Sequence, residues 1–173
     1  VTSLSNETAK ELLATTSEKR NQKNLSLNGL QYITPEVASE LVKVTGNLTL
    51  HNLTEVSPEV GKILIGHKSF RHRHILFRSI SRGLAQLLAH SKTHLDLSGL
   101  RSIDPKVAKE LAKYKGMAIV LAGLQSIQPD VAKELSQWGG DKLYLNRLQG
   151  IDIPVATQLG RYRCQHLGLS GLT

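Results

Sequence analysis

The chain repeats itself, and the repeat limits the fold more than any other feature. Leu25, Leu27, Leu30, Ile33, Pro35, Val37, Ala38 and Leu41 set a spacing that returns at Leu48, Leu50, Leu53, Val56, Pro58, Val60 and Leu64. It returns again at Leu95, Leu97, Leu100, Ile103, Pro105, Val107, Ala108 and Leu111, then at Ile119, Leu121, Leu124, Ile127, Pro129, Val131, Ala132 and Leu135. A further copy runs through Leu143, Leu145, Leu148, Ile151, Val155, Ala156 and Leu159, with its proline one place late at Pro154. The pattern is L-x-L-x-x-L-x-x-I-x-P-x-V-A-x-x-L, at a period of 23–24 residues. A fixed period of this length is the mark of a repeat architecture.

Between the second and the next clear copy lies a divergent one, in which Phe77, Ile80, Leu84, Ala85 and Leu88 keep their places. Its strand either puts His72 and His74 inward or slips so that Ile75 and Phe77 point inward; the sequence leaves both open. Leu4, Thr8, Ala9 and Leu12 match the second half of a unit, and Leu167, Leu169 and Leu172 match the first half of another. The expected fold is therefore an α/β repeat solenoid with one short parallel strand and one short helix per unit. It holds about six repeats plus partial terminal ones. Residues 1–173 read as a single solenoid. The last half-repeat lacks a polar cap, as expected of a fragment of a longer repeat protein, of a trimmed end, or of an end covered by an oligomer contact.

Each half of the unit has its own physical logic. The L-x-L alternation has the period of two that puts both leucines on one strand face. Thr34, Ser57 and Asp104 precede prolines and are suited to accept a free amide of a first helical turn. Proline belongs at the first helical position, where its missing N–H costs nothing. Val37, Ala38 and Leu41 then form one apolar helix face. Gly46, Gly116 and the Gly139–Gly140 pair are expected to end the helix and turn the chain back. A helix this short is marginal alone. Burial of each aliphatic side chain is worth roughly 1.5–3 kcal/mol, against backbone ordering of roughly 1–2 kcal/mol per residue, so one unit depends on its neighbours. The pairs Leu25/Leu27, Leu95/Leu97 and Leu143/Leu145 are expected in one parallel sheet, with helices opened by Pro35, Pro58, Pro105 and Pro129 on its other side.

These residues resemble a leucine-rich repeat of bacterial type over nearly the whole chain. The family's usual Asn or Cys after L-x-L is replaced by Leu30, Leu53, Leu100, Leu124 and Leu148, so the Asn ladder is absent, as in shorter bacterial variants. The resemblance implies a parallel sheet lining one face, helices on the other, and a role in binding other macromolecules.

With the leucines inward, the alternate residues face out from the sheet: Ser26, Asn28, Thr49, His51, Asp96, Ser98, Val120, Ala122, Tyr144, Asn146, Gly168 and Ser170. Asn28, His51, Asp96, Ser98, Tyr144 and Asn146 are the candidate protein-binding residues, set against a plain solvated face. They include few of the aromatic and arginine residues that dominate binding hot spots. The expected function is a non-enzymatic scaffold that binds another protein, whose identity the sequence does not give.

Charge supplies the alternative. The net charge is +8, and Val60 to Leu95 contains no Asp or Glu. That window holds Lys62, Lys68, Arg71, Arg73, Arg78, Arg82 and Lys92, together with five of the seven histidines. Lys68, Arg71, Arg73, Arg78 and Arg82 are the candidate patch for an acidic polymer or an anionic membrane surface. Phe70 and Phe77 alone offer aromatic interleaving, which disfavours stacking on single strands.

Other chemistry is thin. His67, His72 and His74 lack a Cys or carboxylate partner, so no metal or other cofactor is expected. Cys164 and His166 suit packing better than a nucleophile, and no phosphate loop, nucleophile elbow or paired acidic motif is present. Sequons at Asn6, Asn24, Asn47 and Asn52 read as by-products of the repeat. No apolar run approaches the roughly 20 residues needed to cross a bilayer. One cysteine excludes an internal disulfide, which leans towards the cytoplasm without fixing a compartment. Aromatics are only 4% of the chain, so most of the core is expected to come from Leu, Ile, Val and Ala.

Overall fold

The L-x-L segments form the strands. The computed structural model describes residues 5, 7–9, 11, 25–44, 48–50, 52–53, 56–66, 77–91, 95–163 and 165–173. Its strands are β1 (Leu25–Ser26), β2 (Leu48–Thr49), β3 (Leu95–Asp96), β4 (Ala118–Val120), β5 (Lys142–Tyr144) and β6 (His166–Gly168). Every pairing is parallel. In β3–β6 the register aligns Leu95, Ile119, Leu143 and Leu167 in one row, and Asp96, Val120, Tyr144 and Gly168 in the next. The ladder runs past the strand ends: Leu97 donates to Val120 O, Leu121 to Tyr144 O and Leu145 to Gly168 O, each at 2.8 Å.

The expectation of one sheet is not met among the described residues. Leu25 pairs with Leu48 in a two-stranded sheet, and β3–β6 form a separate four-stranded sheet. Parallel strands pair only with an immediate neighbour about 4.8 Å away, and β2 and β3 are two units apart in sequence. The segment expected to hold the strand of the divergent copy falls in 67–76, outside the described residues, and so does the choice between its two registers. Phe77, the first described residue after it, is buried.

After L-x-L the chain turns tightly. Leu30, Leu53, Leu100, Leu124, Leu148 and Leu172 each donate an N–H to the carbonyl three residues back. The first five of these leucines are buried. An apolar side chain therefore fills the position where the resembled family uses a polar ladder, and the backbone carbonyl is satisfied within the turn.

The second half of each unit is helical: α1 (Pro35–Leu41), α2 (Pro58–Gly66), α3 (Arg82–Ala89), α4 (Pro105–Leu111), α5 (Pro129–Leu135) and α6 (Ile153–Leu159). Thr34, Ser57, Ser81, Asp104 and Asp152 cap these helices through their side chains, whereas Gln128 makes no such bond. The displaced Pro154 is accommodated because it falls at the second helical position, whose N–H is also free in a helix. Helix contacts follow chain order, α1 with α2 and onward to α6. Helix continuity thus spans the divergent copy even though strand pairing is not described there. The buried helix positions are those the repeat marks, such as Val107, Ala108 and Leu111 in α4.

The glycines do a different job from the one expected of them. The C-cap residues Val42, Ala112, Ser136 and Gly160 all stay right-handed, and the chain leaves each helix through tight bonds such as Tyr114 N–H to Leu111 O at 3.0 Å. A Cβ on Gly116 would overlap the Tyr114 hydroxyl, and one on Gly140 would overlap the Trp138 ring. These glycines make room for an aromatic two residues earlier, and no left-handed turn requires them. Gly46 lies outside the described residues.

The core is mostly Leu, Ile, Val and Ala, as expected, and three aromatics join it in a regular place. Tyr114, Trp138 and Tyr162 are buried at the same place after successive helices. Their rings stack, with centroids 6.1 Å and 6.0 Å apart and planes inclined by 26° and 15°. The spacing suits offset stacking. The Trp138 indole N–H donates to Tyr114 O at 2.7 Å, and the Tyr162 hydroxyl donates to Gly140 O at 3.1 Å. Burial pushes the Tyr114 phenol above its ordinary pKa.

Candidate functional site

The strand register carries the candidate face. Because Asp96, Val120, Tyr144 and Gly168 are aligned across β3–β6, each unit contributes one residue to a common outward row. Ser98, Ala122, Asn146 and Ser170 occupy the equivalent next position after each strand. Asp96, Ser98, Tyr144 and Asn146 are half-buried rather than fully solvated. At strand spacing, neighbouring side chains on one face cover each other.

Two parts of this face are organised differently. At β3 the Asp96 carboxylate accepts from the Ser98 hydroxyl and also from the Ser98 N–H, the latter at 2.9 Å. These bonds hold both side chains in a local turn. Across β5 and β6, Tyr144 meets the His166 ring at a centroid distance of 5.2 Å, with Lys142 paired to His166 in the register. A Cβ on Gly168 would press into the Asn146 amide and the Tyr144 ring. The glycine therefore lets both side chains lie close over β6. His166 and Lys142 are exposed, so Tyr144, Asn146, His166 and Lys142 form a polar and aromatic cluster at this end of the sheet. Sequence reasoning placed Tyr144 and Asn146 there but paired His166 with Cys164 instead. The overlooked signal is the alignment of His166 with Lys142 one period earlier.

At the other end, Asn28 is exposed, and its carbonyl accepts from the Asn52 amide nitrogen at 2.6 Å. That bond links the turns of two successive units. His51 lies outside the described residues.

Of the basic candidates, Arg78 and Arg82 are among the described residues. Lys68, Arg71 and Arg73 lie outside the described residues. Arg78 is exposed. Arg82 is not free of carboxylates: its guanidinium bonds Glu110 Oε1 at 2.9 Å and 3.0 Å, while Lys113 holds Oε2 at 2.6 Å. The Glu110 side chain is only 1% exposed, covered by two cations that are themselves more than half exposed. Lys113 first, then Arg82, hydrogen-bonds the carboxylate and holds its pKa below the ordinary 4.5. The absence of acids within 60–95 hid this partner, which comes from the next helix, 28 residues on.

Among the described residues, no group of three or more His, Cys, Asp or Glu is placed to hold a metal ion. Among them, too, no helix is long and apolar enough to cross a membrane. Comparison with protein-family models, with curated proteins and with solved structures finds no match.

Proposed function

We propose that the chain is a leucine-rich-repeat-like solenoid that acts as a non-enzymatic interaction module and binds another protein on its strand face. The observation that carries this reading is the outward row Asp96, Val120, Tyr144 and Gly168, one residue per unit in unbroken parallel register. A surface built this way extends with each repeat and offers one side chain per strand spacing. Extended faces of this kind suit a macromolecule better than a small substrate. The Tyr144–His166 end is the expected centre of contact, because aromatic residues half-covered by neighbours commonly dominate binding energy.

A photo-crosslinking amino acid placed at Tyr144 or Asn146, and as control at exposed Lys133 on α5, tests the reading in extract of the native cells. It predicts protein adducts from the first two positions and none from Lys133. Adducts from Lys133 alone would move the interface to the helices, and an absence of adducts from all three would remove the proposal.

The alternative, an anionic polymer bound through 60–95, keeps the support of a carboxylate-free sequence, although Arg82 is shared with Glu110. Heparin titration at two salt concentrations separates the readings, since phosphate or sulfate contacts weaken steeply with salt.

A further inference from the structure

The strand face is not chemically uniform, and its β5–β6 corner is one-sided. The register sets Lys142 beside His166 and Tyr144 beside Gly168. Leu143 and Leu145 are fully buried, so by alternation Lys142, Tyr144 and Asn146 share the outward side of β5 and its extension. Lys142 and His166 are exposed, and Tyr144 and Asn146 are half-buried.

The polar side chains of this corner have hydrogen-bonding capacity to spare. Among the described residues, Lys142, Tyr144 and Asn146 make no side-chain hydrogen bond or ion pair. His166 meets only the Tyr144 ring, which holds its imidazole at a tilt of 51°. What these groups offer is mainly donors. A lysine ammonium has N–H groups and no acceptor, an asparagine amide and a tyrosine hydroxyl each donate, and imidazole keeps a ring N–H in either neutral tautomer.

The complement they lack is a carboxylate. Neither β5 nor β6 presents an acid on this side, and β4 beside them presents Ala118, Val120 and Ala122. Asp141 precedes Lys142 in the chain and makes no ion pair with it. The acid on the same face, Asp96, is engaged by Ser98. It stands two strands from Lys142, roughly 10 Å at a spacing of about 4.8 Å, beyond the screening length of about 8 Å at physiological salt.

We propose that this corner receives an acidic side chain of the protein partner, an Asp or Glu on an extended segment with an apolar residue two places on. The carboxylate enters between Lys142 and His166, and the Tyr144 ring packs on the apolar residue. The period of two that spaces Lys142 and Tyr144 along β5 spaces those two side chains in the partner. Charge-assisted hydrogen bonds are roughly twice as strong as neutral ones, so the acid decides the selection. The inference rests on the reading of this face as the protein-binding surface and names the chemistry of what binds there.

Amide chemical-shift titration of the full chain with two capped pentapeptides, Gly-Glu-Ser-Leu-Gly and Gly-Gln-Ser-Leu-Gly, tests it. The acidic peptide should shift the amides of Lys142, Tyr144, Asn146 and His166 saturably, with an affinity about tenfold above that of the glutamine peptide. Lys142→Glu, at an exposed position that folding does not need, should lose about that tenfold for the acidic peptide and leave the glutamine peptide unchanged. Lys142→Arg should retain it. Lys133→Glu, the same change of net charge on the exposed side of α5, should leave both affinities as they are. Equal affinity for the two peptides overturns the proposal. So do an absence of saturable shifts, shifts confined to the 60–95 segment at residues such as Arg78, or a loss at Lys133→Glu as large as at Lys142→Glu. Any of these results beside crosslinked adducts at Tyr144 and Asn146 removes the acidic preference and leaves the protein-binding face standing.

Discussion

The units of α4, α5 and α6 close with Tyr114, Trp138 and Tyr162, whereas the unit of α3 closes with Ser91. Both kinds bury the same aliphatic set: Leu84, Ala85 and Leu88 in α3 correspond to Val107, Ala108 and Leu111 in α4. Both cap their helix through a side chain, Ser81 in one and Asp104 in the other. The aliphatic positions thus define the unit, and the ring is an addition that reinforces it. Proline is equally dispensable, since α3 begins at Arg82. What replaces proline there is an ion pair to the following helix, through Glu110. The unit without a ring gains a polar link to its neighbour.

Substitutions can break this comparison, and the largest effect is expected at the centre of the ring stack. Trp138→Ala removes two ring contacts and the bond to Tyr114 O, and should cost about 3–5 kcal/mol in urea melts. Close behind is Leu97→Ala, at a position that is 2% exposed, with an expected loss of about 2–5 kcal/mol. Ser98→Ala, one residue on, should cost about 1 kcal/mol or less; it is not wholly neutral, because the hydroxyl donates to Asp96. Equal losses at Leu97 and Ser98 would mean that the strand register is wrong. Gly116→Ala drives a methyl into the Tyr114 hydroxyl and should cost about 1–3 kcal/mol. The same change at Gly139, which has open space, should cost far less.

The ion pair sharpens the other half of the comparison. Glu110→Gln should lose about 1–2 kcal/mol at neutral pH, a modest figure because both cations remain largely in water. The pH dependence has a definite sign. The folded carboxylate is held below its ordinary 4.5, so its contribution is complete above that value and disappears as pH falls through the lowered one. Thermal melts from neutral pH into acid should therefore bring wild type and Glu110→Gln together. A difference that grows on acidification would contradict the assigned partners.

The repeat, the helix starts and the inward leucines were legible in the sequence because local rules govern them. Alternation assigns Leu95 and Leu97 to one face, and Asp104 before Pro105 marks a helix start from two adjacent residues. The ring stack was hidden because its members differ in type and stand one full period apart. A low aromatic content drew attention to leucine instead, although Tyr114, Trp138 and Tyr162 keep a 24-residue interval. Gly116 and Gly140 looked like helix stops because the side chains that need their space come from upstream. Glu110 lay outside the window that made Arg82 look uncompensated, and only helix packing brings the two together. On the candidate face, the row Asp96 to Tyr144 followed from the repeat, but the Tyr144–His166 contact depends on Gly168, whose effect is steric and has no sequence signature of its own.

The central claim is that successive units are joined in one register, so that their outward residues form a single face. Amide hydrogen exchange tests it most directly, through the N–H groups of Leu97, Leu121 and Leu145, each of which bonds the next strand at 2.8 Å. The account predicts strong protection at all three, falling together with global unfolding as urea is added. Exchange of any one of them at the rate of a free peptide would contradict the shared register and, with it, the proposed face.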